Sequence, residues 1–291
     1  MSNDIGSIVD TASYPIDSPD SEGYRSTVAA AREGLRSEGC AVIRDLVRPD
    51  AIDRINQEIL AHKHKTHYST QVINPYFHVT PNPEFPQHHP VNTFTERSSG
   101  FIPGDSWRPD CVIEALFRSQ ELTRFVADCL EIAELHCYAD PLAGLTANIL
   151  DPSQQFTWHF DTNEFAVTVL VQGADEGGLF EYSPAIRSGD DEGFDGIQGV
   201  LDAGGSASCL DSVRTLDLRE GDLQIFRGRY SLHRVTRVAA SSRPRHAAIF
   251  AYTQQPGVIG RVERTLQLFG RVLSEHESAE QQRTRSDPLL D

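Results

Sequence analysis

The sequence predicts an α+β fold in which helices come first and a β-sandwich or barrel follows. Two observations carry this. Apolar residues recur every three or four positions through residues 24–60 and again through 112–130, the period of amphipathic helices. After Glu134 the period drops to two, and short apolar runs are cut by turns rich in Gly, Asp, Ser and Pro, the pattern of layered sheets.

Taken in order, residues 1–23 are rich in Ser, Asp and Pro and are expected to form a flexible arm. Val28, Ala31 and Leu35 then share a helical face, and Gly39 ends the helix. Residues 40–43 read as a short strand, and Pro49 opens a second helix with Ile52, Ile55 and Ile59 on one side. Residues 62–110 are rich in His, Pro and Asn and are expected to be irregular. A single helix is expected over 112–130. Strands are expected at 136–138, 145–150, 157–161, 165–172, 178–182, 223–226, 233–238 and 245–252. Between them, 187–212 reads as a surface loop. A last helix over 261–273 precedes a charged tail, 276–291, so that 24–275 is expected to be one domain.

Composition narrows the function. The chain has 291 residues and a formal net charge of −16, which argues against nucleic acid or an anionic membrane as partner. No apolar run approaches the roughly 20 residues of a membrane-spanning helix. The N-terminus has neither a cationic segment nor an apolar stretch, so a soluble, cytoplasmic protein is expected. Five cysteines (Cys40, Cys111, Cys129, Cys137, Cys209) form no CxxC pair and read as reduced thiols, mostly buried.

The chemistry lies in Trp158-His159-Phe160-Asp161. Strand residues two apart share a face, so His159 and Asp161 project together while Trp158 and Phe160 point the other way. An imidazole beside a carboxylate offers two ligands to a divalent metal, but the pair alone is a common coincidence. His233, in Leu232-His233-Arg234-Val235-Thr236 on a later strand, supplies a third. Two histidines and one carboxylate form the metal-binding pattern of non-heme Fe(II) oxygenases. The strand beginning at Arg245 returns to the same region, and about 16 Å separates His233 from the intervening turn at strand rise. That gap suits a short dicarboxylate held between a metal and a guanidinium.

His159-x-Asp161, His233 and the strand led by Arg245 resemble the Fe(II)/2-oxoglutarate-dependent oxygenases. The resemblance implies a double-stranded β-helix, a jelly-roll or cupin-like barrel with N-terminal helices packed on one sheet. Glu38-Gly39-Cys40-Ala41-Val42-Ile43 and the Pro49-led helix are similar to the phytanoyl-hydroxylase-like branch. Residues 158–182 with 233–236 are similar to a clade acting on free amino acids or small metabolites, lysine hydroxylases and halogenases among them. The resemblance implies that His159, Asp161 and His233 bind Fe(II). It also implies that 2-oxoglutarate and O2 are co-substrates, and that ascorbate serves as the reductant in vitro. Halogenases of that clade carry a small residue in place of the metal-binding carboxylate, leaving room for chloride. This chain keeps Asp161, which implies hydroxylation. Many relatives place the 2-oxoglutarate arginine ten residues after the distal histidine, here Arg243. Pro244 cannot donate to a β ladder, so the strand should start after it and Arg245 is the expected anchor.

Other residues are weighed against blander roles. The six histidines between residues 62 and 89 read as loop histidines. Arg97 is a candidate for a substrate carboxylate, as in amino-acid-acting relatives. Glu181, on an expected core strand, reads as a structural hydrogen-bond partner. Thr162 and Asn163 follow the metal carboxylate and are placed to orient it. The expected function is oxidation, by default hydroxylation, of an unactivated C–H bond in a small-molecule substrate such as an amino acid, with release of succinate and CO2. Desaturation or cyclisation would use the same residues. The rivals are a cupin-like metal enzyme without 2-oxoglutarate and a non-catalytic binding module. Oligomeric state does not follow from the sequence.

Overall fold

A computed structural model describes residues 4–204 and 210–282. Ser21 caps α1 (Glu22–Glu38) by accepting from the Tyr24 N–H, and Gly39 ends it at φ 68°, a left-handed turn that glycine takes without a Cβ clash. Tyr24, Val28, Ala31 and Leu35 are its buried face. After β1 (Cys40–Ile43), α2 (Pro49–His62) buries Ile52, Ile55 and Ile59.

The segment expected to be irregular holds a hairpin, β2 (His67–Ile73) and β3 (Thr95–Ile102), paired in register from His67↔Phe101 to Ile73↔Thr95. β2 is the outer strand of its sheet and alternates between half-buried and exposed residues. Its polar sequence therefore hides a strand. The single helix expected over 112–130 is two, α3 (Val112–Phe117) and α4 (Gln120–Leu130). Ser119 between them is extended and caps α4, its side chain accepting from Leu122 N.

The remaining strands are β4 (His136–Cys137), β5 (Leu145–Leu150), β6 (Phe156–His159), β7 (Ala166–Gln172), β8 (Phe180–Ser183), β9 (Arg214–Leu216), β10 (Leu223–Phe226), β11 (Leu232–Val235), β12 (Arg245–Phe250) and β13 (Tyr252–Thr253). Every pairing among them is antiparallel. One sheet runs β1-β10-β7-β12-β5-β3-β2 and the facing sheet β6-β11-β8-β9. The result is an α+β fold in which a helical layer covers one of two facing antiparallel sheets. The main apolar cluster lies between the large sheet and the helices, joining Ile55 and Ile59 of α2 to Val167, Val169 and Ala248. The other face of that sheet is left to the site.

Three expectations need correction. The described part of the expected arm, residues 4–23, is docked on the fold. Ile8, Val9 and Ile16 are at most 1% exposed, and Val9 bridges Val47, because a few apolar residues among the Ser, Asp and Pro suffice to dock the segment. The last helix is shorter than expected, α6 (Val262–Phe269), and the tail continues as α7 (Ser274–Gln282). The α7 residue His276 is buried, 3.0 Å from Asp140 Oδ2. Asp140 also accepts from the N–H groups of Leu142, Ala143 and Gly260. The insert expected to be a surface loop carries α5 (Phe194–Asp202), whose Ile197 and Val200 pack with Trp158 and Phe160. Cys40, Cys111, Cys129 and Cys137 are free thiols, whereas Cys209 lies outside the described residues. No helix among the described residues is long and apolar enough to cross a membrane.

A hydrogen-bond chain ties α2 to the large sheet. His246 Nδ1–H donates to Asn56 Oδ1 at 2.8 Å, Asn56 Nδ2 to Gln172 Oε1, and Gln172 Nε2 to the Pro244 carbonyl. His246 Nε2 is buried without a partner, so protonation would leave an unpaired charge. Burial, and then the nearby Lys63, push His246 down to about 4. The unfolded chain, with histidine near about 6.5, then binds a proton that the native state refuses. Stability should therefore fall as pH drops from about 6.5 toward 4. Urea unfolding over this range should show a shallower loss in His246→Gln than in the wild type; equal slopes would refute the assignment.

Candidate active site

β6 and β11 set His159 directly opposite His233 in an antiparallel pair, with an irregularity between His233 and Val235. Both rings are buried, with centroids 4.0 Å apart. Asp161 lies two residues past His159, its Oδ1 3.8 Å from His159 Nε2 and 3.5 Å from His233 Nε2. One ligand atom from each of the three lies within 4.8 Å of the others, and no other such group occurs among the described residues.

The rings are oriented by their own strands. His159 Nδ1 lies 2.7 Å from the Thr157 carbonyl and His233 Nδ1 2.9 Å from the Ser231 carbonyl. A carbonyl oxygen only accepts, so each Nδ1 carries the proton and each Nε2 presents its lone pair toward Asp161. Burial, and then His233, hold His159 well below the usual histidine range, in the neutral form that a metal requires. Two neutral imidazole nitrogens and one carboxylate suit divalent iron. The residues fit the metal.

Asp161 is placed by a contact that the sequence does not advertise. Its backbone N–H donates to the Gly228 carbonyl, and its carboxylate lies against the Gly228 Cα. A Cβ at position 228 would stand 1.8 Å from Asp161 Oδ2 and 2.6 Å from its Cγ. Only glycine leaves the carboxylate where it is.

The triad opens onto a cavity of about 210 Å³ whose lining includes Phe156, Phe180, Phe226, Arg245, Arg264 and Phe269. Arg245 is buried, and its guanidinium pairs with no carboxylate among the described residues. Burial pushes it down to about 10. Arg243, before Pro244, faces solvent and pairs with Asp175 and Glu220. Arg97 is fully buried, donates to Ser69 Oγ and lies over the Phe156 ring, without lining the cavity. The arginine on the cavity wall that the sequence did not single out is Arg264, on α6. Nothing in the local pattern of α6 marks it, since only the docking of the helix brings it to the triad.

Other candidates resolve into structural roles. Glu181 pairs with Arg234 at 2.7 Å, and Arg234 lies over the Trp158 ring. Trp158 and Phe160 point away from the triad into the cluster with Tyr76 and Val200. Thr162 and Asn163 line the cavity. Of the clustered histidines, His62 bonds the Glu58 carbonyl and packs on Trp107, and His89 stacks on Phe85 and meets Phe194 edge to face.

Fold and site together define a non-heme Fe(II) and 2-oxoglutarate-dependent oxygenase. The chain belongs to the Halogenase D (HalD) family, whose model matches residues 95–258, more than half of its length. Solved structures share the fold at low identity. An oxidoreductase of the 2OG-Fe(II) oxygenase family from Burkholderia pseudomallei is 14% identical, with 79% of this chain and 92% of that one covered at a TM-score of 0.50. AviO1 from Streptomyces viridochromogenes Tue57 is 17% identical, with 79% and 96% covered at 0.51. SnoN, a non-heme α-ketoglutarate-dependent epimerase of nogalamycin biosynthesis, is 11% identical, with 79% and 81% covered at 0.50. No curated protein matches the chain.

The Gly228 contact yields a direct test. Gly228→Ala should displace the Asp161 carboxylate and weaken Fe(II) binding by about 10–100-fold, the range for losing a group that orients a metal ligand. Anaerobic Fe(II) titration beside a thermal melt checks this. Unchanged iron affinity in a folded variant would show that Asp161 is not held by this contact.

Proposed function

We propose that this enzyme hydroxylates an unactivated C–H bond of a small molecule, with an amino acid as the first class to examine. In this reading His159, Asp161 and His233 hold the iron, and Arg245 holds the distal carboxylate of 2-oxoglutarate. The observation that carries it is the Asp161 carboxylate, keyed against Gly228 beside both imidazoles. With iron and 2-oxoglutarate bound, the site would supply oxidative decarboxylation of the co-substrate by O2 to succinate and CO2, one oxygen atom entering succinate and the other the substrate C–H bond.

The chain's own residues do the rest. The Thr157 and Ser231 carbonyls keep both Nε2 atoms free for a metal. Arg245 offers a planar fork that matches a carboxylate, inside a buried cavity where a charge-assisted pair is strong. The surrounding aromatic rings exclude water from the bond to be oxidised.

The family match favours a second reading, halogenation. Against it stands the carboxylate where a halide would need room. Incubation of amino acids with enzyme, Fe(II), 2-oxoglutarate, ascorbate and chloride separates the outcomes by mass. A gain of one oxygen supports hydroxylation, a gain of chlorine supports halogenation, and a loss of two hydrogens indicates desaturation or cyclisation.

The anchor is tested independently. Arg245→Ala should weaken 2-oxoglutarate by about 30-fold or more, because truncating one partner of a buried charge pair costs about 2–5 kcal/mol. Arg245→Lys should recover part of this, since the charge returns without the fork. Arg243→Ala should change affinity by less than about threefold, as for an exposed ion pair. The metal-to-ligand absorption band of the anaerobic complex reports each affinity. Loss confined to Arg243→Ala would move the anchor.

A further inference from the structure

Two arginines near the site, Arg97 fully buried and Arg264 half-buried, have no task in holding iron or 2-oxoglutarate. Arg97 is 0% exposed, and its Nε and Nη1 have no hydrogen-bond partner. Arg264 Nη1 is likewise buried and unpartnered, with the guanidinium lying over the Phe77 ring. Neither pairs with a carboxylate among the described residues. A guanidinium cannot shed its proton to escape burial, so leaving it without a full counter-charge is costly. Arg97 is also close enough to disfavour the charge on Arg264 by more than the nearby Asp161 favours it. An anion between or beside them would relieve both.

Their placement says where that anion sits. Arg264 lines the main cavity and also a smaller one of about 50 Å³, bounded by Tyr76, Phe160, Asp161 and Thr162. It therefore stands, with the carboxylate of the triad, on the wall that the two spaces share. Arg97 lies over the Phe156 ring, which itself lines the main cavity. The rest of the wall is mainly apolar, with Phe101, Phe250, Leu268 and Phe269 among its residues, interrupted by the neutral polar side chains of Thr146, Asn148, Thr168 and Gln224. Asp161 is the only acidic side chain lining the main cavity among the described residues, and Glu181 is taken by Arg234. A substrate ammonium on a long side chain would find no carboxylate in this lining other than the metal ligand Asp161.

We propose that Arg264, with Arg97 near it, is the anion-binding end of the substrate site, and that the substrate is a carboxylate, an amino acid among them, whose chain beyond the acid end is uncharged and largely apolar. This rests on the assignment of iron to the triad and of 2-oxoglutarate to Arg245, because those two ligands fill the other end of the cavity. The geometry gives the acid a fixed end and leaves the apolar body to lie toward the two imidazoles. It sets this chain apart from enzymes that act on dibasic amino acids.

The test uses the full chain loaded anaerobically with Fe(II) and 2-oxoglutarate, titrated with hexanoate, hexanamide, L-leucine and L-lysine by calorimetry. Hexanoate should bind at least about tenfold more tightly than hexanamide, as a lost charge-assisted hydrogen bond dictates, and L-leucine more tightly than L-lysine. Arg264→Gln should erase the preference for acid over amide, and Arg264→Lys should keep part of it. A merely structural arginine would weaken both probes alike. Should Arg264→Gln not fold, the wild-type pairs and Arg264→Lys decide. Persistence of the preference in Arg264→Gln, its absence in the wild type, or tighter binding of L-lysine than of L-leucine would overturn the proposal. The absorption band of the Fe(II)–2-oxoglutarate complex is read in the same samples. Absence of the band defeats the underlying assignment, whereas a normal band without acid preference defeats only this inference.

Discussion

The cross-strand pair of His159 and His233 is the constraint on which the site depends. Two imidazoles with centroids 4.0 Å apart in a buried antiparallel ladder would repel if both were protonated. Burial holds His159 neutral, and each ring is turned by the backbone carbonyl two residues earlier in the chain. The orientation thus comes from backbone geometry and not from a partner side chain that could rotate away. Because β6 and β11 lie side by side in the smaller sheet, the distance between the two nitrogens is a property of strand pairing itself.

Around that pair the fold divides its labour. The larger sheet buries one face against α1, α2 and α4 and turns the other toward the triad, bringing Arg245 of β12 to the cavity. The helical layer bears most of the hydrophobic burial, so the inner face can carry Thr146, Asn148, Thr168 and Gln224 without being the main source of stability. The α6–α7 segment closes the molecule over the cavity. It is fastened by the buried His276–Asp140 contact, in which one carboxylate also satisfies three backbone N–H groups. Through that fastening, a residue as distant in sequence as Arg264 reaches the wall of the site.

The charge of the cavity follows from the same arrangement. A chain with a net charge of −16 presents a cavity lined by Arg245 and Arg264, with Asp161 as its acidic residue. The acidic groups elsewhere are spent on surface pairs such as Arg243 with Asp175 and Glu220, or on internal ones such as Glu181 with Arg234. Net charge therefore says nothing about what the cavity binds, because burial and pairing sort the charges before a substrate meets them.

The sequence by itself determined the order of helices and strands, the parity that puts His159 and Asp161 together, and the choice of Arg245 over Arg243 as the arginine that turns inward. Each rests on short-range periodicity or on a local rule, such as proline's missing N–H, that survives without knowledge of distant neighbours. The β2–β3 hairpin, the docked N-terminal segment and the α7 tail escaped because their burial is decided by partners far along the chain, and polar edge strands carry little alternation. Tertiary structure alone decided that Gly228 abuts Asp161, next to the bond that Arg229 donates to the Thr162 carbonyl across 67 residues of sequence, that Arg97 lies over the Phe156 ring, and that Arg264 faces the cavity. Those relations join loops and a helix across the barrel mouth, where no spacing rule operates and only packing sets which side chains meet.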